Sequence, residues 1–142
     1  MATEPPAVAA GLDIGRVRTG IARADPSGTL ASAISTVDTE PLSSLHQRIV
    51  GALGPVRIGQ LIAGLPLDQH GGESKATRFV REVCARISAE LDLQIEFQDE
   101  RFSTAEMQTR LREGGMKHKD VRDRIDAWSA ATILQSWLDS RH

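Results

Sequence analysis

Gly11-Leu12-Asp13-Ile14-Gly15-Arg16-Val17-Arg18-Thr19-Gly20 begins in one apolar run and leads into another. We therefore predict a strand, a tight turn and a returning strand. Gly15 and Gly20 permit the tight turn and the close approach of a large ligand. Asp13, at the end of the first strand, indicates a metal or phosphate site, and an ordinary hairpin with a solvated carboxylate is the alternative. Positive charge surrounds this acid, from Arg16, Arg18 and Arg23.

The hydrophobic periodicity along the chain predicts the remaining elements. Strands are expected near residues 8–14, 19–24, 30–37, 56–63 and 93–97. Helices are expected near residues 41–53, 76–91, 104–112 and 120–138. Three consecutive strands followed by alternating strands and helices predict a mixed α/β sheet of five strands with helices on its faces.

Composition limits the class of protein. The chain has 142 residues, a formal net charge of −2 and a single cysteine, Cys84. One domain over residues 7–142, after a disordered leader at 1–6, fits this length. The lone cysteine excludes a disulfide framework and is expected to be a small core residue in a reducing cytoplasm. No apolar run is long enough to span a membrane, so no membrane association is expected.

Acidic residues follow several of the predicted elements. The strands near 8–14, 57–63 and 93–97 should run parallel, so their carboxyl ends meet at one edge of the sheet. That edge would carry Asp13, the Gly64-Leu65-Pro66 loop and Asp99-Glu100. Asp126, in the last helix, precedes the small residues Ser129 and Ala130, which would let that helix approach the sheet.

Acids brought together in this way indicate a cation. Like charges repel, and carboxylates buried without a partner are costly, so such a cluster normally holds a metal ion. Oxygen ligands without His or Cys favour Mg²⁺ or Mn²⁺ over zinc. Two such ions about 4 Å apart can promote phosphodiester hydrolysis. Each acid taken singly could equally be a surface or capping residue.

Four motifs, in this order, span nearly the whole chain after the leader. They are Gly11-Leu12-Asp13-Ile14-Gly15 with Arg18, Gly20 and Asp25; Gly64-Leu65-Pro66-Leu67 with Gly71; Asp99-Glu100-Arg101-Phe102-Ser103-Thr104; and Asp126-Ala127 through Ala130-Ala131, followed by Ile133-Leu134. With these motifs the chain resembles the YqgF/RuvX family of RNase H-like nucleases. That family is described as Holliday-junction resolvases and as processors of the 5′ end of pre-16S rRNA.

The resemblance implies an RNase H-like fold, with a three-stranded antiparallel meander, further parallel strands and helices on both faces of the sheet. It also implies catalytic and metal-binding roles for Asp13, Glu100 and Asp126, with Asp99 a lesser candidate for the second acid.

A basic segment leads into the last helix. Residues 110–124 contain six Lys or Arg against three acids, although the whole chain has a net charge of −2. Contact with a nucleic-acid backbone and a solvated charged face are both open interpretations. The candidate backbone-binding residues are Arg16, Arg18, Arg101, Lys117, Lys119 and Arg122. Aromatic residues are few, so base stacking is not indicated, and Trp128 is expected in the core.

Together these features predict a divalent-metal-dependent nuclease acting on RNA in pre-rRNA maturation. A junction resolvase acting on branched DNA is the alternative enzyme, and it would need two active sites and hence a homodimer. A non-catalytic nucleic-acid-binding module is the alternative from another class. An actin-like ATPase would need a second lobe, for which 142 residues leave no room.

Overall fold

The computed structural model describes residues 7–99 and 118–141, with only the backbone described for 118–126. The leader at 1–6, Glu100, Arg101, the helix expected near 104–112 and Lys117 lie outside these residues. The side chains of Lys119, Arg122 and Asp126 lie outside them as well.

One mixed sheet organises the described chain. Its strand order is β3-β2-β1-β4-β5, with β1 antiparallel to β2, β2 antiparallel to β3, and β1, β4 and β5 mutually parallel. This is the predicted meander joined to parallel strands. The strands are β1 (Ala7–Ile14), β2 (Arg18–Ala24), β3 (Ala31–Asp38), β4 (Arg57–Leu65) and β5 (Ile95–Asp99).

Helices cover both faces of the sheet, as predicted. One face packs on α1 (Leu45–Leu53) and α2 (Lys75–Leu91), around buried residues such as Leu12, Leu61 and Val83. The other face packs on α3 (His118–Asp139), through Ile62, Leu134 and Trp137. Alternate residues of each strand supply the two cores, because successive side chains point to opposite faces.

Two boundaries differ from the predictions. The helix expected from residue 41 starts as a separate 3-10 turn at Leu42–Ser44, because the backbone of Ser44 (φ −120°, ψ 8°) is not helical. The fifth strand starts at Ile95, not at residue 93. Asp92 ends α2 in the left-handed region (φ 53°), and Leu93 donates its N–H to the Ser88 carbonyl, so Leu93 completes the helix end.

The carboxyl-terminal half of α3 is anchored to the sheet by polar contacts. The Trp137 indole N–H donates to the Glu96 carboxylate at 2.7 Å, and Arg141 donates to the same carboxylate at 3.1 Å. On the other side, the Gln135 amide accepts from the Ala31 N–H and donates to the Thr29 carbonyl, both at 2.9 Å. These contacts fix the far end of α3 to β5 and to the β2–β3 turn.

No helix in the described ranges combines the length and the apolar character needed to cross a membrane.

Candidate active site

Asp13 lies one residue before the end of β1, the central strand. Leu12 and Ile14 belong to the core under α1 and α2, so strand alternation puts Asp13 on the α3 face. Asp13 pairs directly with Gly20 of β2. On the β4 side Leu12 pairs with Ala63, so the next residue there is Gly64. The positions directly beside Asp13 on both neighbouring strands are therefore glycines.

The turn after Asp13 is closed by its own backbone. The Gly15 N–H donates to the Arg18 carbonyl at 2.9 Å. A Cβ on Gly15 would lie 2.7 Å from that carbonyl oxygen, which explains the glycine at this position.

Thr39, after β3, fastens this turn to the sheet. Its hydroxyl donates to the Gly15 carbonyl at 2.7 Å, and its N–H donates to the Val17 carbonyl at 2.9 Å. Its Oγ1 also lies 2.9 Å from that of Thr19, and both side chains are fully buried. Thr39 was not anticipated, because only the β2–β3 register brings position 39 beside the turn.

The last helix lies close against the sheet at Gly11. A Cβ on Gly11 would lie 2.8 Å from both the Ala130 carbonyl oxygen and Cβ of Leu134. Trp137 lies farther along the helix, beside Ala9 and the start of β1, so α3 runs antiparallel to β1. Asp126 belongs to the described backbone of α3, one turn before Ala130.

Asp99 ends β5, where it pairs with Leu65, and its side chain is exposed. It follows the alternation of Ile95 and Phe97, which pack on the α2 side. Asp99 and Asp13 therefore belong to opposite faces of the sheet, although both lie at its carboxyl edge. Glu100, the other candidate for the second acid, lies outside the described residues.

Within the side chains described, no three of His, Cys, Asp or Glu form a group that could hold a metal ion. The predicted carboxylate cluster includes Glu100 and Asp126, which are not among those side chains. The three-acid site thus stays a prediction.

Cations do lie at the same edge. Arg16 is exposed in the turn after β1, and its guanidinium stacks 4.6 Å from the ring centroid of Phe79 in α2. Arg18, at the start of β2, is partly buried. Lys75 and Arg78, in the first turn of α2, are exposed and follow the loop that leaves β4.

Asp25, which belongs to the first family motif, stabilises its own turn. Its carboxylate accepts from the Thr29 and Leu30 N–H groups at 2.8 and 3.1 Å, and from the Ser27 hydroxyl at 2.8 Å. These bonds, that from Thr29 foremost, lower the pKa of Asp25 below its ordinary value. Asp25 lies between β2 and β3, at the edge of the sheet opposite Asp13.

Cys84 is a core residue, as expected, and burial raises the pKa of its thiol to about 12. Trp128 corrects an expectation, since it is 46% exposed and not in the core. Position 128 falls on the outer face of α3, whereas its neighbours Ala127, Ser129 and Ala130 face inward. The small residues on either side of Trp128 were the sequence signal that the inward face of the helix lies at those positions and not at 128.

A pocket of about 450 Å³ opens at the opposite edge of the sheet, lined by residues that include Ala7, Gly59 and Trp137. None of the predicted site residues lines it, so it is separate from the edge that carries Asp13.

Comparison with known proteins gives a consistent assignment. A family model described as RuvX, Holliday junction resolvase, matches residues 7–140. A protein of Anaeromyxobacter sp. (strain Fw109-5), named "Putative pre-16S rRNA nuclease", is 38% identical over 132 residues, covering 93% of this chain and 96% of the relative. A protein of the same name from Mycobacterium ulcerans (strain Agy99) is 36% identical over 135 residues, covering 92% and 78%.

Solved structures share the fold at low identity. RuvC of T. thermophilus, in complex with a Holliday junction substrate, has a TM-score of 0.57 at 16% identity, covering 95% of each chain. The Fowlpox virus resolvase has a TM-score of 0.54 at 13% identity, covering 94% of this chain and 98% of the other.

The mixed sheet, with helices on both faces and an acid at the end of its central strand, defines a protein of the RNase H-like α/β fold class, as predicted, and RuvC shares this fold. Within that class, this chain belongs to the RuvX family, which confirms the resemblance seen in its motifs. It is a nuclease by family, hence a hydrolase of phosphodiester bonds.

Proposed function

We propose that the chain is a divalent-metal-dependent nuclease that hydrolyses RNA phosphodiesters in the processing of the 5′ end of pre-16S rRNA. The observation that carries this proposal is Asp13, held on the central strand between Gly20 and Gly64, on the face that α3 covers. The names of the curated relatives favour pre-rRNA as the substrate.

Asp126 is assigned as a second acid on the α3 side. The contact of α3 with Gly11 is the reference point. From it, Asp126 lies four helix residues beyond Ala130, about 6 Å, and Asp13 lies two strand residues beyond Gly11, about 6.6 Å. Because the helix and the strand are antiparallel, both acids are displaced toward the same edge by similar lengths. This geometry supports a shared site.

Glu100 is assigned as the remaining acid, in preference to Asp99. Asp99 follows the alternation of Ile95 and Phe97, away from the face that carries Asp13. Strand alternation therefore favours Glu100, the next residue in the chain.

The donor set fits a hard divalent cation. Asp13, Glu100 and Asp126 would hold Mg²⁺ or Mn²⁺ through carboxylate oxygens, which these ions prefer. The glycines on either side of Asp13 have no side chain, so they permit the close approach of an ion and a phosphate group. When bound, such an ion supplies Lewis-acid activation of the scissile phosphodiester.

The basic residues of this edge would bind the substrate backbone. Arg16 stacks over Phe79, so its guanidinium is held beside the turn, on the α2 side of this edge, at a low entropic cost. Arg18, Arg101, Lys117, Lys119 and Arg122 would extend the positive surface along the nucleic acid. A reducing, cytoplasmic location follows from the lone cysteine and the rRNA substrate.

Branched DNA is the second candidate substrate. The description of the family model and the fold shared with RuvC favour it. Resolution of a junction requires paired cuts, so this candidate also requires a homodimer.

The test is cleavage of end-labelled RNA with a pre-16S 5′ extension and of a four-way DNA junction, each with Mn²⁺, Mg²⁺ or EDTA. Metal-dependent cleavage of the RNA supports the proposal, and cleavage of the junction alone supports the resolvase. Binding without cleavage supports the non-catalytic module.

Asp13→Asn should abolish cleavage while leaving the fold intact. Asp92→Asn is the matched control, because Asp92 lies at the opposite edge and its left-handed backbone accepts Asn. Full activity in Asp13→Asn would exclude the proposed site.

A further inference from the structure

The last helix carries a buried hydroxyl that has no partner among the described residues. Ser129 of α3 is 2% exposed, and its Oγ makes no hydrogen bond to any of the residues that the structure describes. Native proteins rarely leave a buried hydroxyl unpaired, and a water molecule or a ligand usually accounts for such a group.

The direction of Ser129 can be read from the helix. Ser136 lies seven residues later, nearly two whole turns, so the two serines share one side of α3. Ser136 contacts Gln98 of β5 at 3.1 Å. Ser129 therefore faces the same side as that contact, about 10 Å nearer the edge where the parallel strands end.

Along the axis of α3, Ser129 lies level with the candidate site. It directly precedes Ala130, which contacts Gly11, and it follows Asp126 by three residues, so it is next to position 126 on the helix surface. The positions directly beside Asp13 on β2 and β4 are Gly20 and Gly64. An ordered water inside a protein needs polar partners, such as a serine hydroxyl and a carboxylate.

We propose that Ser129 is a positioning residue of the metal site, whose hydroxyl hydrogen-bonds a water molecule in the hydration shell of the divalent ion. This inference rests on the proposed function. Mg²⁺ and similar ions keep several of their waters when bound to proteins. Groups that bind these outer oxygens typically change metal affinity by about 10–100-fold.

The test uses the full chain with Mn²⁺ alone and no nucleic acid. Ser129→Ala should lower the Mn²⁺ affinity by about tenfold in calorimetry. In EDTA its Tm should equal or exceed that of the unaltered chain, because the substitution removes an unpaired buried hydroxyl. The rise in Tm on adding Mn²⁺ should be smaller than in the unaltered chain.

Two variants sharpen the result. Ser136→Ala removes a hydroxyl from the same side of α3 and should leave Mn²⁺ affinity unchanged. Ser129→Cys keeps the volume with a weaker donor, so it should resemble Ser129→Ala if the hydrogen bond matters.

Unchanged Mn²⁺ affinity in Ser129→Ala would overturn the inference alone. A fall in its Tm in EDTA would do so too, since the hydroxyl would then be paired within the protein. If the unaltered chain neither binds Mn²⁺ nor cleaves nucleic acid, the proposed function fails, and the inference fails with it.

Discussion

The Thr39 hydroxyl donates a hydrogen bond to the Gly15 carbonyl, 24 positions earlier in the chain, at 2.7 Å. Thr39 has a single hydroxyl proton, so the 2.9 Å contact with Thr19 must use the proton of Thr19. The buried Thr39 side chain is therefore the hydrogen-bond partner of both the Gly15 carbonyl and the Thr19 hydroxyl, beside the turn that follows Asp13.

Thr39→Val should destabilise the protein by about 1–3 kcal/mol, because it leaves the Thr19 hydroxyl and the Gly15 carbonyl unpaired with almost no change in shape. Urea denaturation measures this loss. Cleavage should also slow, since the turn beside Asp13 is loosened. The exposed Thr29→Val is the control, and equal stability of the two variants would contradict the account.

Gly11→Ala should cost about 1–3 kcal/mol, because the added methyl meets the backbone of Ala130 and forces α3 outward. Metal-dependent cleavage should fall further than the folded fraction explains, since α3 carries Asp126. Gly51→Ala is the matched control: it lies in α1 with nothing within 4 Å of the new methyl. That change should stabilise the protein by about 0.4–1 kcal/mol.

Arg16→Ala should weaken RNA binding by about tenfold, the order expected for one charge-assisted hydrogen bond. The slope of log Kd against log salt should decrease by about 0.7, because one phosphate contact is lost. Filter binding over a salt series measures both. Arg86→Ala, on an exposed part of α2 about 10 Å farther along the helix than Phe79, should leave the slope unchanged.

Cys84 should resist a thiol reagent at pH 8 in the folded chain and react fully in denaturant, because burial raises its pKa from 9.0 to about 12. In the unfolded chain the thiol ionises from about pH 9, whereas in the folded chain it stays neutral until about pH 12. Its contribution to stability is therefore complete below pH 9 and is lost as the pH rises toward 12. Unfolding free energies of the unaltered chain and Cys84→Ala, compared over this range, should converge.

Strong local patterns made much of the fold predictable. The glycine-flanked run around Asp13 predicted β1, the turn and β2, and the spacing of Val83 and Ile87 predicted α2. The ends of helices and strands were harder to predict, because they depend on tertiary pairing. Leu93 was predicted to begin a strand, but it belongs to the end of α2.

The sequence could propose the residues of the candidate site, and these stay a prediction, but it could not supply their geometry. Gly20 and Gly64 were visible in the sequence, yet only the strand register shows that they flank Asp13 on both sides. The assignment of Asp99 to the opposite face likewise needs the observed strand. Trp128 was placed in the core on residue type alone, whereas its position on α3 exposes it.

The polar contacts at the carboxyl-terminal end of α3 also influence where the other end of the helix places position 126. The contacts of Glu96, Trp137, Arg141 and Gln135 hold the helix about 16 Å from position 126, and its packing on Gly11 holds it again near Ala130. A small tilt of α3 at its carboxyl-terminal contacts would displace position 126. Substitution of Glu96 should therefore shift position 126 relative to Asp13 without altering either residue.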